Sequence, residues 1–179
     1  LLEIGIMKAV SRTGQQEFDV EIRSLVDVDQ FYGIEIDEFP ARIAETALWM
    51  MDHIMNVQLS AEFGNYYNRI PLKKSPTILN ADALATDWAD LLPPEECSFI
   101  MGNPPFIGAK FQAPEQRQAI RDVANLGKSG GTLDFVCGWF IKAGQYAVGD
   151  TRIAFVSTNS ITQGEQVAQM WPILFDQCK

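Results

Sequence analysis

The sequence contains few of the residues that most often bind metals or form disulfides. It has a single histidine, His53, and three cysteines, Cys97, Cys137 and Cys178, which lie far apart. A zinc site needs closely spaced Cys and His ligands, and a disulfide framework needs an even number of cysteines. The sequence therefore predicts neither a metal site nor a disulfide framework, and we expect a reducing, cytoplasmic setting.

Long hydrophobic runs and an excess of basic residues are also missing. No apolar stretch approaches the length needed to cross a bilayer, so we expect no association with a membrane. The net charge is −9, from 14 Lys and Arg against 23 Asp and Glu. Because phosphate binding draws its affinity from Lys and Arg, this charge argues against a nucleic-acid clamp formed by this segment alone. A polyanionic partner would need basic residues from elsewhere.

The hydrophobic content is nevertheless sufficient for a folded domain. The chain has 179 residues, of which 47% are hydrophobic. This length corresponds to one domain, and this apolar fraction can form a substantial core. The composition is therefore typical of a soluble, globular domain.

An apolar run that ends in Asn103-Pro104-Pro105-Phe106 is the central feature of the sequence. Residues 98–101 predict a short buried strand, and the prolines forbid its continuation because neither has an N–H for a sheet ladder. The strand is expected to stop at Asn103, which places an amide where open α/β sheets bind ligands. The alternative is a strand-ending turn with Phe106 packed in the core.

Carboxylates also lie at the ends of two other predicted strands. Residues 31–37 contain Glu35, and residues 77–80 are followed by Asp82. In nucleotide-binding α/β folds, a carboxylate at the end of the second strand accepts hydrogen bonds from both ribose hydroxyls. Asp82 could in turn accept from the exocyclic amine of an adenine. The alternative for Glu35 is a solvated surface acid or helix cap.

The remaining segments have weaker signals. No Gly-x-Gly-x-x-Gly loop is present, and such a loop would be expected before Leu1. Apolar residues at helical spacing, among them Ile43, Met50 and Ile54, predict a helix after the strand at 31–37. We expect helices at residues 1–10, 114–126 and 163–175, with a break at Pro172 in the last one, and a strand at 152–157. Arg117 and Arg121 should form a solvated helix face. The segment at 56–75 is mixed in character, and the segment at 127–131 is expected to be a flexible connection.

Taken together, the motifs resemble those of the amino-group (N6-adenine) DNA methyltransferases that use S-adenosylmethionine. The likeness is greatest to the large single-chain restriction–modification enzymes of types IIG and IIL, in which nuclease, methyltransferase and target-recognition parts share one polypeptide. The matching stretches are Gly33-Ile34-Glu35-Ile36-Asp37, Asn80-Ala81-Asp82-Ala83-Leu84, Asn103-Pro104-Pro105-Phe106, Leu133-Asp134-Phe135-Val136-Cys137-Gly138-Trp139-Phe140 and Ile153-Ala154-Phe155-Val156-Ser157-Thr158-Asn159-Ser160.

The resemblance implies an α/β fold with a Rossmann-like class I methyltransferase sheet that is incomplete here. The first strand with its glycine-rich loop and the last strands would lie outside the chain. Residues 1–179 would then form a partial methyltransferase catalytic domain, with the second to fifth strands and their helices. We expect weak cofactor binding and little or no activity from this segment alone.

The resemblance also implies catalytic roles for the Asn-Pro-Pro-Phe motif. The side-chain oxygen of Asn103 and the carbonyl of Pro104 would accept the two N–H bonds of the target amine, and Pro105 would help to hold that carbonyl in place. Phe106 would stack on the base, which must be flipped out of the duplex to reach a buried methyl donor.

Further positions are assigned to the cofactor and the target. By the same resemblance, Glu35 would bind the ribose of S-adenosylmethionine and Asp82 its adenine amine, with Ile36 and Ala83 beside the adenine ring and Asn103 bordering the cofactor. Lys110 is a candidate contact to the DNA backbone, with an ordinary loop charge as the alternative. Asn159, at the polar end of the strand at 152–157, is a candidate for the target pocket.

The function implied is methyl transfer from S-adenosylmethionine to the N6 amine of a flipped adenine, by part of a restriction–modification or related phage-defence protein. The expected partners are double-stranded DNA, an upstream glycine-rich motif and a downstream target-recognition domain of the same polypeptide. Two alternatives stay open. One is methyl transfer to RNA adenine or protein glutamine, and the other is a non-catalytic Rossmann-like nucleotide-binding module.

Overall fold

The computed structural model describes residues 26–63, 75–125 and 132–177. The chain divides into two compact units, Leu1–Asn80 and Ala81–Lys179. Within the described ranges, each unit contains one pair of parallel strands, accompanied by one α-helix in the first unit and three in the second. The expected α/β class is therefore confirmed.

Some predicted segments lie outside the described residues. These are the helix at 1–10, the connection at 127–131 and residues 64–74 of the mixed segment. In the portion that is described, no helix combines the length and the apolar content needed to span a membrane.

In the first unit, two short strands pair in parallel. Strand β1 is Tyr32–Glu35, helix α1 is Glu38–Phe63 and strand β2 is Thr77–Asn80. The register places Tyr32 beside Thr77 and Glu35 beside Asn80. Because parallel strands run in the same direction, their carboxyl ends meet at one edge. The strand predicted at 77–80 is confirmed, and β1 occupies the middle of the strand predicted at 31–37.

Helix α1 is present where its apolar spacing predicted it, but those apolar positions are largely exposed. The exposed fractions are 51% for Ile43, 61% for Met50 and 44% for Ile54, whereas Ala41, Asn56 and Leu59 are buried. The helix also continues to Phe63, so the first part of the predicted mixed segment at 56–75 is helical. Helical periodicity predicted this element but not the face that packs in this unit.

Among its described residues, the second unit contains a parallel strand pair and three α-helices. The strands are β3, Phe99–Gly102, and β4, Arg152–Phe155. The helices are α2, Pro114–Ala124, α3, Cys137–Tyr146, and α4, Glu165–Gln177. The strand register pairs Phe99 with Arg152 and Gly102 with Phe155. Short 3-10 turns at Trp88–Asp90, Pro94–Glu96, Ala109–Phe111 and Asn159–Thr162 connect these elements.

The core of the second unit lies among its three helices. Helix α3 packs against both α2 and α4. The largest of the side chains that are almost completely buried are Ile120, Leu133, Val136, Cys137, Ile141 and Met170. Phe135 and Phe140 are partly buried and pack against this core from outside.

Strand β3 differs from its prediction in burial. It ends immediately before Asn103 as expected, but Phe99 and Met101 are 61% and 73% exposed. Side chains alternate between the two faces of a strand, so these two residues share one face. The opposite face packs against α3, where Phe155 of β4 meets Phe140 with ring centroids 5.1 Å apart. Of the four residues of β3 only Ile100 is partly buried, so the expectation of a buried strand is wrong.

Arg117 and Arg121 do not form the solvated face that their spacing predicted. The Nε atoms of both side chains are buried and have no hydrogen-bond partner. Residues three and four apart on a helix share a face, and this face of α2 also carries the buried residues Ile120 and Ala124. The part of each arginine side chain up to Nε is therefore buried on the same face of α2 as these two residues.

Helix α4 is not broken at Pro172. It runs without interruption from Glu165 to Gln177, with Pro172 inside it. A proline in a helix interior removes one hydrogen bond but does not by itself end the helix when packing compensates. Met170 and Leu174, on either side of the proline, are buried in the core of the unit, and the Trp171 Nε1 donates a hydrogen bond to the Ile161 carbonyl oxygen at 2.8 Å.

Candidate functional site

The Asn-Pro-Pro-Phe motif forms an exposed loop at the carboxyl end of β3. The Val156 N–H donates to the Gly102 carbonyl at 3.0 Å, and the strand stops there. The Asn103 side chain is exposed and has no hydrogen-bond partner among the described residues, whereas Pro104 is buried. Phe106 is 47% exposed, so it is not a core residue. The loop therefore offers an unengaged amide and an aromatic ring from a backbone fixed by a packed proline.

The segment after this motif is held by hydrogen bonds to the residues just before α3. The Ile107 carbonyl accepts from the Phe135 N–H at 2.8 Å and from the Gln112 Nε2 at 3.3 Å. Gln112 also donates to the Leu133 carbonyl at 2.8 Å. Lys110 is exposed on the 3-10 turn Ala109–Phe111. The predicted loop is therefore a docked turn that presents Lys110 to solvent.

The carboxylate of Asp134 joins this segment to the one that follows β4. Its Oδ1 accepts from the Ala109 N–H at 3.0 Å, and its Oδ2 accepts from the Ser160 hydroxyl at 2.7 Å. Ser160 lies in the 3-10 turn Asn159–Thr162, which begins with the exposed residue Asn159. The structure thus links the segment of Lys110 to that of Asn159. Sequence reasoning missed the roles of Asp134 and Gln112, because the contacts that join distant segments are 21 to 26 residues apart in the sequence.

A tight turn carries Asp82 and Ala83. The Asp82 Oδ1 accepts from the Leu84 N–H at 2.8 Å, as in an Asx turn, and its Oδ2 accepts no hydrogen bond from a described residue. The Trp88 Nε1 donates to the Ala83 carbonyl at 2.9 Å, and the Lys142 Nζ donates to the Leu84 carbonyl at 2.6 Å. The turn is therefore held by two side chains of the second unit.

Lys142 is partly buried where it reaches this turn. Burial lowers its pKa from the ordinary value of 10.5, and the negative charges of Asp87 and Asp82 oppose that shift. Removing an ammonium from water disfavours its charged form, while nearby carboxylates favour it. The three charged groups thus interact around the turn that carries Asp82.

In the first unit, Glu35 and Ile36 are held by an asparagine from the neighbouring strand. The Asn80 Nδ2 donates to the Glu35 carbonyl at 3.0 Å and to the Ile36 carbonyl at 2.8 Å. The Glu35 Oε1 accepts from the Asp37 N–H at 3.1 Å, and its Oε2 accepts no hydrogen bond from a described residue. Ile36 is 64% exposed. This strand end therefore presents a free carboxylate oxygen next to an exposed apolar side chain.

Parallel strand pairs, helices in alternation with them and an Asn-Pro-Pro-Phe loop at a strand end are features of an α/β methyltransferase domain. Over residues 1–179 the chain matches the family described as the MmeI DNA-methyltransferase domain, and it belongs to that family. The resemblance to the methyltransferase part of single-chain restriction–modification enzymes is thereby confirmed.

Two relatives are much longer than this chain. It is 38% identical over 154 residues to DNA methyltransferase A of Bacillus subtilis (strain 168), a match that covers 84% of this chain and 18% of that protein. It is also similar to the type IIL restriction–modification enzyme MmeI, whose structure was solved in complex with DNA. That match has a TM-score of 0.86 and 52% sequence identity, and it covers 98% of this chain and 24% of that one. The chain thus spans a quarter or less of either relative.

Proposed function

We propose that this chain supplies catalytic residues for methyl transfer from S-adenosylmethionine to the N6 amine of a flipped adenine in double-stranded DNA. The observation that carries the proposal is the unengaged Asn103 amide at the end of β3, next to the buried Pro104 and the half-exposed Phe106. DNA as the substrate is supported by the two relatives, since one is described as a DNA methyltransferase and the other was solved with DNA bound.

The proposed chemistry depends on two acceptors that point at one amine. The lone pair of an adenine amine is delocalised into the ring, which makes it a poor nucleophile. When the Asn103 Oδ1 and the Pro104 carbonyl accept hydrogen bonds from its two N–H groups, the lone pair is less delocalised into the ring and the nitrogen becomes more nucleophilic. The nitrogen would then take the methyl group as the sulfonium donor becomes a neutral thioether, and the proton that the nitrogen loses would pass to water. Pro105 restricts the backbone around that carbonyl, and Phe106 stacks on the flipped base.

The residues at two other strand ends have the chemistry needed to bind the cofactor. Glu35 and Asp82 each have one carboxylate oxygen engaged by a backbone N–H and one oxygen free to accept from a ligand. Such acceptors suit the ribose hydroxyls for Glu35 and the adenine amine for Asp82, with Ile36 and Ala83 beside the ring and Asn103 bordering the site. When bound, S-adenosylmethionine supplies a methyl group activated by its sulfonium.

The proposal extends to the parent polypeptide. Because the chain spans 24% or less of either relative, we assign the glycine-rich cofactor loop and target recognition to other segments of the same protein. Residues 1–179 would be part of a Rossmann-like class I methyltransferase sheet, and Lys110 and Asn159 would contact the target DNA. The parent would act in restriction–modification or related phage defence in the reducing cytoplasm, consistent with the free thiols of Cys97 and Cys137.

The test is methyl transfer by the full-length protein from labelled S-adenosylmethionine to unmethylated duplex DNA, followed by nucleoside analysis. We expect label in N6-methyladenine, and we expect Asn103→Ala to lower the transfer rate by about 100-fold or more with little change in cofactor affinity. The matched control is Gln58→Ala, which removes an exposed amide from α1 outside the site and should behave as wild type.

Other outcomes would assign the chain differently. Label in RNA or protein with none in DNA would mean that the chemistry is right and the substrate wrong. Cofactor binding without transfer to any of these substrates would favour the nucleotide-binding module. If the full-length protein does not bind S-adenosylmethionine, the methyltransferase proposal itself is contradicted.

A further inference from the structure

Asp134 uses both carboxylate oxygens to connect two segments that are far apart in sequence. Its Oδ1 receives the Ala109 N–H, from the segment that follows the Asn-Pro-Pro-Phe loop, at 3.0 Å. Its Oδ2 receives the Ser160 hydroxyl, from the turn that follows β4, at 2.7 Å. Within the described residues no lysine or arginine forms an ion pair with this carboxylate. Its two oxygens instead accept hydrogen bonds from Ala109 and Ser160.

The connection to the first segment is reinforced on both sides of Asp134. The Phe135 N–H donates to the Ile107 carbonyl, and Gln112 bridges the carbonyls of Ile107 and Leu133. Gln112 is buried, with 6% of its surface exposed. Buried polar groups that are fully hydrogen-bonded hold one defined arrangement, because breaking any of the bonds leaves an unsatisfied group.

Asp134 is itself fixed to the core of the unit. Its N–H donates to the Gln166 Oε1 of α4 at 3.0 Å, and its carbonyl accepts from the Cys137 N–H at 3.0 Å at the start of α3. The same Gln166 oxygen accepts from the buried Cys137 thiol at 3.1 Å. The backbone of Asp134 is therefore fixed by α3 and α4, and its carboxylate fixes Ala109 and Ser160 relative to those helices.

We propose that Asp134 is the positioning residue of the target-base pocket. It holds the segment of Lys110 and the segment of Asn159 in a set arrangement beside the Asn103–Phe106 loop, so that the pocket is formed before the base arrives. This inference rests on the proposed function and deepens it. A pocket that is preorganised in this way lowers the barrier, because small displacements of reacting groups cost large factors in rate.

Asp134 is proposed to act through the position of its oxygen atoms and not through its charge, and substitutions can separate these two roles. Asp134→Ala removes both acceptors. Asp134→Asn keeps an oxygen for the Ala109 N–H, and its Nδ2 can donate to the Ser160 oxygen, which can turn its own proton toward Thr158, 2.7 Å away. Asparagine should therefore largely replace aspartate if position is what matters, and it should fail if the negative charge takes part in the chemistry.

The experiment measures kcat and the KM values for cofactor and DNA in the full-length protein. We expect Asp134→Ala to lower kcat by about 10- to 100-fold with the KM for S-adenosylmethionine within about twofold of wild type. Asp134→Asn should recover most of the loss, and Ser160→Ala, which breaks one of the two contacts, should fall in between. Asp150→Ala removes an exposed carboxylate of a distant turn and serves as the matched control.

Three results would overturn the inference. Wild-type kcat in Asp134→Ala would show that the contacts are dispensable, and an inactive Asp134→Asn would assign a role to the charge. A parallel loss of cofactor binding and kcat would indicate general destabilisation only. Failure of the proposed function is read separately, from the wild-type protein: if it places no label in adenine, that proposal fails and this inference falls with it.

Discussion

Two asparagines at strand ends differ in what their amides do. Asn80, the last residue of β2, donates to the carbonyls of both Glu35 and Ile36. Asn103, just after β3, has no partner among the described residues. An amide with satisfied hydrogen bonds stabilises the protein, whereas an exposed and unengaged one is available to a ligand. Asn80 therefore positions other residues, and Asn103 is the candidate for contact with a substrate.

At this scale we predict that Asn80→Ala weakens cofactor binding. The change removes both hydrogen bonds that hold the strand end carrying Glu35 and Ile36. Since each such bond contributes about 1 kcal/mol, the loss of both should raise the dissociation constant for S-adenosylmethionine by up to about 30-fold, with a smaller effect on kcat at saturation. Isothermal titration calorimetry on the full-length protein measures this directly.

The control for that prediction is Asn80→Asp. It keeps the shape of the side chain but faces two carbonyl oxygens with a carboxylate, so its binding should be at least as weak as that of Asn80→Ala. Wild-type affinity in both variants would contradict the positioning role of Asn80.

At the scale of elements, α4 shows how packing maintains a helix through an unfavourable residue. Pro172 lies in the middle of the helix and is exposed, while Met170 and Leu174 beside it are buried. Proline removes the N–H that would bond to the carbonyl four residues earlier, at a cost of about 3 kcal/mol in an ordinary helix. The buried side chains of α4 offset this loss through contacts with α3.

We therefore predict that Pro172→Ala stabilises α4. The substitution restores the missing N–H without removing a buried side chain, so amide hydrogens in residues 165–177 should exchange more slowly by a factor of about 10 or more. Hydrogen–deuterium exchange with mass spectrometry on the full-length protein gives this value. Pro172→Gly also restores the N–H but should stabilise by about 1 kcal/mol less, since glycine has a lower helix propensity. Faster exchange in Pro172→Ala would show that the proline fits the local geometry better than alanine.

At the scale of the whole molecule, a cluster of buried hydrophobic side chains surrounds α3. Cys137 lies at its centre with no exposed surface, and its thiol donates to the Gln166 Oε1 at 3.1 Å. Burial, together with the negative charge of Asp134, raises its pKa from 9.0 to about 12. The thiolate is thus disfavoured in the folded protein, which makes Cys137 a packing residue and not a nucleophile.

This pKa predicts a loss of stability at alkaline pH. Because the folded pKa of Cys137 lies above its unfolded value, the folded state keeps a proton that the unfolded state releases. The contribution of the thiol is fully present below pH 9 and is lost as the pH rises from 9 toward 12, with a loss on the order of 1 kcal/mol at pH 10. Urea unfolding of the full-length protein at pH 8 and pH 10, followed by circular dichroism, measures the difference.

The comparison variant is Cys137→Ser, which keeps a hydrogen-bond donor for Gln166 but does not ionise in this range. Its unfolding midpoint should fall less between pH 8 and pH 10 than that of wild type. Equal shifts for the two proteins would mean that the thiol does not control this pH dependence.

The local signals of the sequence predicted the elements and the family well. The prolines after Asn103 end β3 where expected, and the apolar runs at 31–37 and 77–80 contain β1 and β2. Such signals depend on a few neighbouring residues, because a missing N–H or an alternating pattern acts locally. They also carried the motifs by which the chain resembled its family, and the roles assigned to those motif residues stay predictions.

What only the tertiary structure decided is which surfaces meet. The apolar face of α1 and one face of β3 are exposed, Arg117 and Arg121 are drawn into a packed face, and α4 continues through Pro172. The link from Asp134 to the Ala109 and Ser160 segments spans 25 and 26 residues. Periodicity shows that a segment has an apolar face, and a residue type shows that a carboxylate is present. Which residues pack on that face or bond to that carboxylate depends on the arrangement of the whole chain. For that reason the sequence by itself determined the elements and the family, and folding in three dimensions decided the contacts that hold the candidate site.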